Sequence, residues 1–165
     1  MATTKLKGND VQLAGTTLNV GDKAPEVTVV ATDLSEKTIG GASGKKQLII
    51  AVPSLDTEVC ATETRTFNSK ASEIGGADVT VVSMDLPFAS KRFCSTEGID
   101  LTVASDYRNK DFMNAYGTLI AEGPLAGLSA RAIFVTDENG TITYKELVPE
   151  ITTEPDYEAA LAALK

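Results

Sequence analysis

The chain has 165 residues, of which 42% are hydrophobic and 23% charged, so we expect a single domain over residues 1–165 with a buried core. The net charge is −8 and no run of Lys or Arg interrupts the acidic balance, which argues against nucleic acid and membrane surfaces as partners. No apolar run approaches the roughly 18 residues of a membrane span, and the absence of histidine excludes a Cys–His catalytic pair and a His-based metal site. The first residues lack the apolar core of a secretory signal, which predicts a cytoplasmic location.

Strand-like and helix-like segments alternate along the chain. In chain order the sequence predicts a hairpin of 5–7 and 11–13 around a turn at 8–10, a strand at 27–30, a glycine-rich turn at 40–46, a strand at 47–52, a helix from Glu58 to about Ile74, a strand at 79–84, a helix from Pro87 to Gly98, a strand at 101–104, a helix at 111–116, a second hairpin of 131–136 and 141–147, and a helix at 155–164. The run at 47–52 is almost wholly apolar, which indicates a central strand buried on both faces. This order predicts an α/β domain with a thioredoxin-like fold, in which helices flank a central mixed β-sheet and a β-hairpin precedes it.

Cys60 is the most informative residue of the sequence because it follows the predicted central strand closely. Thr57 is the natural N-cap of the next helix, which places Cys60 at the third helical position. A helix N-terminus carries partial positive charge and free backbone N–H groups, and both favour a thiolate, the reactive form of cysteine. The pattern therefore favours a reactive Cys60, with a small buried hydrophobe as the alternative. One face of this helix is defined by residues at helical spacing: Cys60, Thr64, Phe67, Ala71 and Ile74.

Cys94 is the second of the two cysteines, and it lies in the next predicted helix beside Phe93. Cys94 can be a buried structural side chain, and it can equally be the redox partner of Cys60. A disulfide between the two would close a loop of about 35 residues, which the chain-entropy model values at roughly 3–4 kcal/mol. Because the sequence shows no secretory signal, we expect a reversible bond rather than a structural bridge.

Three more residues are candidates for the same site. Helix capping alone explains the presence of Thr57. A more specific interpretation is that its hydroxyl also forms a hydrogen bond with the Cys60 sulfur or with an incoming oxygen. Pro53 ends the central strand, and a second interpretation has it shield the thiolate from water. Arg131 opens an apolar strand, where an arginine is ordinarily a solvated strand end. In a chain without histidine, Arg131 is also a good source of positive charge for a thiolate.

Residues 53–60 resemble the peroxidatic motif of the peroxiredoxins, a proline followed by a threonine three residues before a cysteine, here Pro53, Thr57 and Cys60. At Ser54, Asp56 and Val59 the segment also resembles the corresponding motif of the thiol peroxidase subfamily, the atypical two-cysteine peroxiredoxins. Further segments similar to that subfamily are 85–89, 92–94, 123–125, 127–128, 130–132 and 150–161, so the likeness spans essentially the whole chain.

The resemblance implies that Cys60 attacks the terminal oxygen of a hydroperoxide and becomes a sulfenic acid. It also implies that Cys94 condenses with this acid into an intrachain disulfide, which a thioredoxin system then reduces. By the same analogy, Thr57 and Arg131 orient the peroxide and stabilise the transition state, while Pro53 shields the site. The family usually forms homodimers. Peroxide reduction by a thiolate needs no metal and no organic cofactor.

Other functions remain open at this stage. A thiol–disulfide oxidoreductase on the same fold usually relies on a Cys-x-x-Cys pair, which this sequence lacks. A redox-sensing or interaction module would use a Cys60–Cys94 bond as a switch, and a plain globular domain would bury both thiols. Catalytic turnover with peroxide separates these alternatives. Apolar residues such as Leu55 and Leu86 suggest alkyl hydroperoxides as substrates, although core packing explains them equally well.

Overall fold

The computed structural model describes residues 2–70 and 73–165. Within these ranges the elements, in chain order, are β1 (Thr3–Leu6), β2 (Asn9–Ala14), β3 (Val27–Ala31), β4 (Glu36–Ile39), β5 (Gln47–Ala51), α1 (Glu58–Ser69), β6 (Asp78–Ser83), α2 (Pro87–Glu97), β7 (Thr102–Ser105), α3 (Asp111–Tyr116), β8 (Leu119–Ile120), β9 (Ala132–Thr136), β10 (Ile142–Leu147) and α4 (Tyr157–Ala163). Every helix in the described part of the chain is too short or too polar to span a membrane.

A seven-stranded sheet with the order β10-β9-β5-β6-β7-β3-β4 forms the centre of the molecule. β6 pairs in parallel with β5 and with β7, whereas the other pairings in this sheet are antiparallel. The predicted α/β class with a central mixed sheet is therefore confirmed. β5 lies inside this sheet and all five of its residues are buried, because it has a strand on each side and helices against each face.

Helices cover both faces of the sheet, and β5 shows how. Successive side chains of a strand point to opposite faces. Leu48 and Ile50 therefore belong to a core shared with α1, α2 and α4, whereas Ile49 and Ala51 pack against α3 on the other face. Cys60 is part of the first core. The thiol is thus enclosed between the sheet and the three-helix side of the molecule.

The N-terminal hairpin is confirmed, although its turn differs from the prediction. β1 and β2 pair antiparallel with Leu6 opposite Asn9, so the turn consists of Lys7 and Gly8 rather than 8–10. Both turn residues have positive φ, 50° and 82°, as a two-residue hairpin turn requires. β8 adds to β2 to complete a small three-stranded sheet.

Three local features differ from what the sequence predicts. α1 ends at Ser69 rather than near Ile74, because asparagine and serine are poor helix formers and the Ser69 hydroxyl donates to the Thr66 carbonyl at 2.9 Å. Ala71, expected on the Cys60 face of the helix, lies outside the described residues. The sequence does not predict β4, a polar strand at the sheet edge, or β8, which has only two residues.

Candidate active site

Cys60 is the third residue of α1, as the sequence predicts, and its side chain is fully buried. β5 ends at Ala51, and the loop that follows leads directly into the helix. Thr57 is the N-cap residue, with an extended backbone at φ −89° and ψ 147°. The thiol therefore lies in the first turn of a helix, where the backbone N–H groups have no intrahelical partners and the helix dipole is positive.

Thr57 does not cap this helix with its side chain. Its hydroxyl donates to the carbonyl of Ser54 at 2.9 Å, and its backbone N–H donates to the same oxygen at 3.2 Å. The expectation of a side-chain cap is wrong, because the hydroxyl proton is used to close the turn that precedes the helix. The lone pairs of this hydroxyl stay available to accept a hydrogen bond from another molecule.

Arg131 lies immediately before β9, and its guanidinium contacts the Cys60 sulfur. Nη1 donates to Cys60 Sγ at 3.2 Å and to Glu63 Oε2 at 2.7 Å, and Nε donates to the carbonyl of Ile151 at 2.9 Å. Only 2% of the residue is exposed. Burial alone lowers the pKa of Arg131, but its electrostatic interactions and hydrogen bonds with Cys60 and Glu63 outweigh burial and raise it. A permanent positive charge is therefore held against the sulfur.

Glu63 is a functional candidate that the sequence analysis missed. It is fully buried on α1, one turn after Cys60, and its Oε1 has no hydrogen-bond partner among the described residues. Burial raises its pKa to about 7, although the charge of Arg131 and the hydrogen bond from it act in the opposite direction. An acidic residue on the apolar face of a predicted helix, three positions after Cys60, is the signal that could have identified it.

The raised pKa of Glu63 predicts how stability depends on pH. Between the ordinary pKa of 4.5 and about 7, the folded protein keeps a proton on Glu63 that the unfolded chain has released, so stability falls as pH rises through this window. The full effect amounts to roughly 3 kcal/mol. Urea unfolding of the wild type and Glu63→Gln at several pH values measures it. We expect the wild type to lose stability relative to the variant as pH rises; a constant difference would contradict the assignment.

The loop before Cys60 is tied to the next loop along the sheet edge by Asp85. Its Oδ1 accepts a hydrogen bond from Ser54 Oγ at 2.7 Å, and its Oδ2 accepts from the backbone N–H of Leu55 at 2.7 Å. Oδ2 also accepts from Ser83 Oγ at 2.9 Å. The sequence placed Asp85 only in a segment of family likeness, with no role. Its carboxylate joins two loops at one end of the sheet.

Arg131, whose guanidinium contacts the Cys60 sulfur, lines an apolar recess of about 290 Å³, whereas Cys60 itself is fully buried behind it. Most of its walls are aliphatic, and three of the predicted site residues, Pro53, Thr57 and Arg131, contribute to it. The residues that line this active-site recess are Leu6, Pro53, Thr57, Glu58, Val59, Leu125, Leu128, Arg131, Ile151 and Thr152. Leu55 is instead part of the core, and Leu86 is 51% exposed at the start of α2. The recess has room for a small alkyl group next to polar hydrogen-bonding groups.

Cys94 lies on α2, on the same side of the sheet as Cys60. It is half-buried and packs against the same core, and both cysteines are free thiols. Burial raises the pKa of the Cys94 thiol, which disfavours its reactive thiolate form. The two cysteines occupy separate helices, α1 and α2.

The side chains of this site define the chemistry that they can support. The Cys60 sulfur contacts the fixed positive charge of Arg131, and Arg131 and Thr57 both line the apolar recess. The part of the chain that the structure describes contains no group of three or more His, Cys, Asp or Glu side chains that could hold a metal ion. The arrangement is suited to nucleophilic attack by sulfur on a polar group that carries an apolar substituent.

Residues 19–161 match a family model described as Redoxin. Since this match covers most of the chain, the protein belongs to the redoxin family. A solved structure, a peroxiredoxin-like protein from Aquifex aeolicus, superposes with a TM-score of 0.96 at 55% identity and covers 99% of this chain and 96% of that one. The predicted thioredoxin-like fold is confirmed by this similarity.

Two curated relatives define the enzyme class further. A thiol peroxidase from Leptospira interrogans is 55% identical and the alignment covers 99% of this chain and 97% of that protein. A thiol peroxidase from Aquifex aeolicus is 56% identical, with 99% and 96% covered. The chain is accordingly an enzyme of the thiol peroxidase kind, and the resemblance carried by its motifs is confirmed.

Proposed function

We propose that this enzyme reduces hydrogen peroxide and organic hydroperoxides, and so serves in antioxidant defence. The Cys60 thiolate attacks the terminal peroxide oxygen, and the sulfur–oxygen bond forms as the oxygen–oxygen bond breaks. Cys60 becomes a sulfenic acid, and the released alkoxide or hydroxide takes up a proton to leave as alcohol or water. The observation that carries this proposal is the 3.2 Å contact between Cys60 Sγ and Nη1 of Arg131, a residue that lines the active-site recess.

Arg131 and Thr57 have complementary roles in this proposal. A guanidinium has five N–H donors, and three of those of Arg131 serve Cys60, Glu63 and Ile151. The other two are left to hold the peroxide oxygens as negative charge moves onto the leaving oxygen. The hydroxyl of Thr57 donates to the chain itself, so it accepts the hydrogen bond of the hydroperoxide O–H and orients it. Pro53, which is buried beside them, keeps water from the sulfur.

Cys94 completes the proposed cycle as the resolving cysteine. Its sulfur attacks the Cys60 sulfenic acid, the sulfur–sulfur bond forms as the sulfur–oxygen bond breaks, and water leaves. The resulting intrachain disulfide is reduced by thioredoxin through thiol–disulfide exchange. Because the two thiols belong to separate packed helices, we expect the disulfide form to be rearranged around Cys60 and Cys94. Superimposable oxidised and reduced structures in these segments would contradict that expectation.

A Cys94→Ser variant tests the resolving role. We expect it to form the Cys60 sulfenic acid once, at the wild-type rate, and then to stop in an assay driven by thioredoxin, thioredoxin reductase and NADPH. The wild type should turn over continuously in the same assay. Steady-state turnover of Cys94→Ser with thioredoxin would remove Cys94 from this role, and a wild type without peroxide-dependent turnover would overturn the proposed function.

The aliphatic walls of the active-site recess predict a preference among hydroperoxides. Leu128→Ala removes part of one wall, and we expect it to lower kcat/KM for cumene hydroperoxide about 5- to 10-fold, since each buried methylene is worth about 0.8 kcal/mol. The rate with hydrogen peroxide, which has no alkyl group, should stay unchanged. Leu34→Ala, an exposed position outside the recess, is the matched control. Equal losses with both substrates would show that Leu128 supports the fold instead.

The proposed cycle also favours a location for the enzyme. We expect residues 1–165 to act as one domain in the cytoplasm, where a thioredoxin system keeps thiols reduced.

The family likeness favours a homodimer. Light scattering on the reduced protein tests this, and a molar mass of twice one chain is the expected result. The mass of a single chain at micromolar concentration would contradict a stable dimer.

A further inference from the structure

Among the hydrogen bonds of the described residues, those of the Asp85 carboxylate link the loop before Cys60 to the end of β6. The carboxylate accepts from Ser54 Oγ and from the backbone N–H of Leu55, each at 2.7 Å, and from Ser83 Oγ at 2.9 Å. The first two donors belong to the loop that leads into α1. The third belongs to the last residue of β6, which anchors the carboxylate to the sheet.

The same residue stands at the start of the helix that carries the second thiol. α2 begins at Pro87, two residues after Asp85, and contains Cys94. An ion pair between Arg92 and Asp56 also joins these two segments, but it is long at 3.6 Å and its side chains are 74% and 65% exposed. Exposed pairs of this kind contribute little. The short, partly buried, charge-assisted bonds of Asp85 are the stronger link.

We infer that Asp85 is a positioning residue that holds the Cys60 loop and the start of α2 in the arrangement that reduces peroxide, and must release that loop before Cys94 reaches Cys60. This inference rests on the proposed function. The loop supplies Pro53 and Thr57 to the active-site recess, so loosening it impairs peroxide reduction. The same hydrogen bonds oppose movement of α2 relative to α1, so loosening them speeds disulfide formation.

Asp85 thereby affects the fate of the sulfenic acid. In one outcome the Cys94 sulfur displaces the hydroxyl from the Cys60 sulfur, which forms the disulfide and releases water. In the competing outcome a second hydroperoxide transfers an oxygen to the sulfenic acid, giving sulfinic acid and an alcohol. A tighter link between the loop and α2 prolongs the life of the sulfenic acid, so it favours over-oxidation when peroxide is abundant.

Asp85→Asn separates these effects, because the amide keeps the size of the side chain while its NH₂ group cannot accept the bonds that Oδ1 or Oδ2 accepts. Quenched-flow reactions with cumene hydroperoxide, followed by intact mass, measure both steps, since only the first scales with peroxide concentration. We expect sulfenic acid formation about 10-fold slower and disulfide formation about 3- to 10-fold faster than in the wild type. The sulfinic acid fraction at excess peroxide should fall accordingly.

Arg92→Gln is the matched control, because it breaks the exposed link between the same segments and should leave both rates unchanged. Ser54→Ala removes the hydroxyl that donates to Oδ1 and that also accepts a long bond of 3.3 Å from the Asp56 N–H. It should shift both rates in the same directions by less, and it serves as the test if Asp85→Asn does not fold. The inference would be overturned if Asp85→Asn slowed both sulfenic acid formation and disulfide formation, or changed neither. In both cases the proposed function would stand. A wild type that forms neither sulfenic acid nor disulfide would overturn both.

Discussion

Cys60→Ser is expected to lower peroxidase turnover by at least about 10⁴-fold, since removing the nucleophile of an enzyme commonly costs this much or more. A serine hydroxyl is not ionised near neutral pH and attacks an oxygen–oxygen bond poorly. The fold should survive, because the two side chains are close in size and the hydroxyl can accept the hydrogen bond that Arg131 Nη1 donates to the sulfur. Consumption of cumene hydroperoxide under thioredoxin recycling measures the loss.

The control for this experiment is the thermal unfolding of Cys60→Ser beside that of the wild type. Similar midpoints with the activity lost assign the effect to chemistry. Turnover at more than a few per cent of the wild-type rate would mean that another group, such as the Cys94 thiol, attacks the peroxide. That result would contradict the central role of Cys60.

Arg131→Gln is expected to slow the oxidation of Cys60 by about 10²- to 10³-fold, as the loss of a donor to developing negative charge typically does. The variant removes both the charge that favours the thiolate and the N–H groups left for the peroxide. It also leaves Glu63 buried without its partner, which can cost 3–5 kcal/mol of stability while Glu63 is ionised. The cost should be smaller at pH 5, where Glu63 is protonated, because its pKa is about 7.

A double variant separates catalysis from folding at this position. Arg131→Gln with Glu63→Gln removes the stranded carboxylate, so we expect it to recover most of the stability at pH 8 while the rate of oxidation stays low. Arg131→Lys keeps the charge but not the planar set of donors, and an intermediate rate is expected. If the double variant recovered the rate together with the stability, Arg131 would act only through the fold.

The place of Cys60 follows from local patterns in the sequence. An apolar strand, a proline and a threonine at the N-cap position occur within a short stretch, and each one constrains the backbone next to it. The central mixed sheet follows in the same way, because β5 is almost wholly apolar. The weak points are β4 and β8, whose short or polar segments depend on neighbouring strands rather than on their own composition.

The partners of Cys60 do not follow from local patterns, because they come from distant parts of the chain. Arg131 contacts Cys60 across 71 positions and Glu63 across 68, and Asp85 reaches Ser54 across 31. Sequence spacing carries no information about such contacts. An arginine at the start of a strand is usually exposed to solvent, whereas Arg131 is buried and pairs with Glu63.

The most direct test of the account is the intact mass of the reduced protein after one equivalent of cumene hydroperoxide, recorded under non-reducing conditions. We predict a rapid loss of two hydrogen atoms, mapped by peptide analysis to a Cys60–Cys94 link within one chain. An unchanged mass with both thiols still free would show that Cys60 is not an activated nucleophile, and it would contradict the account at its centre.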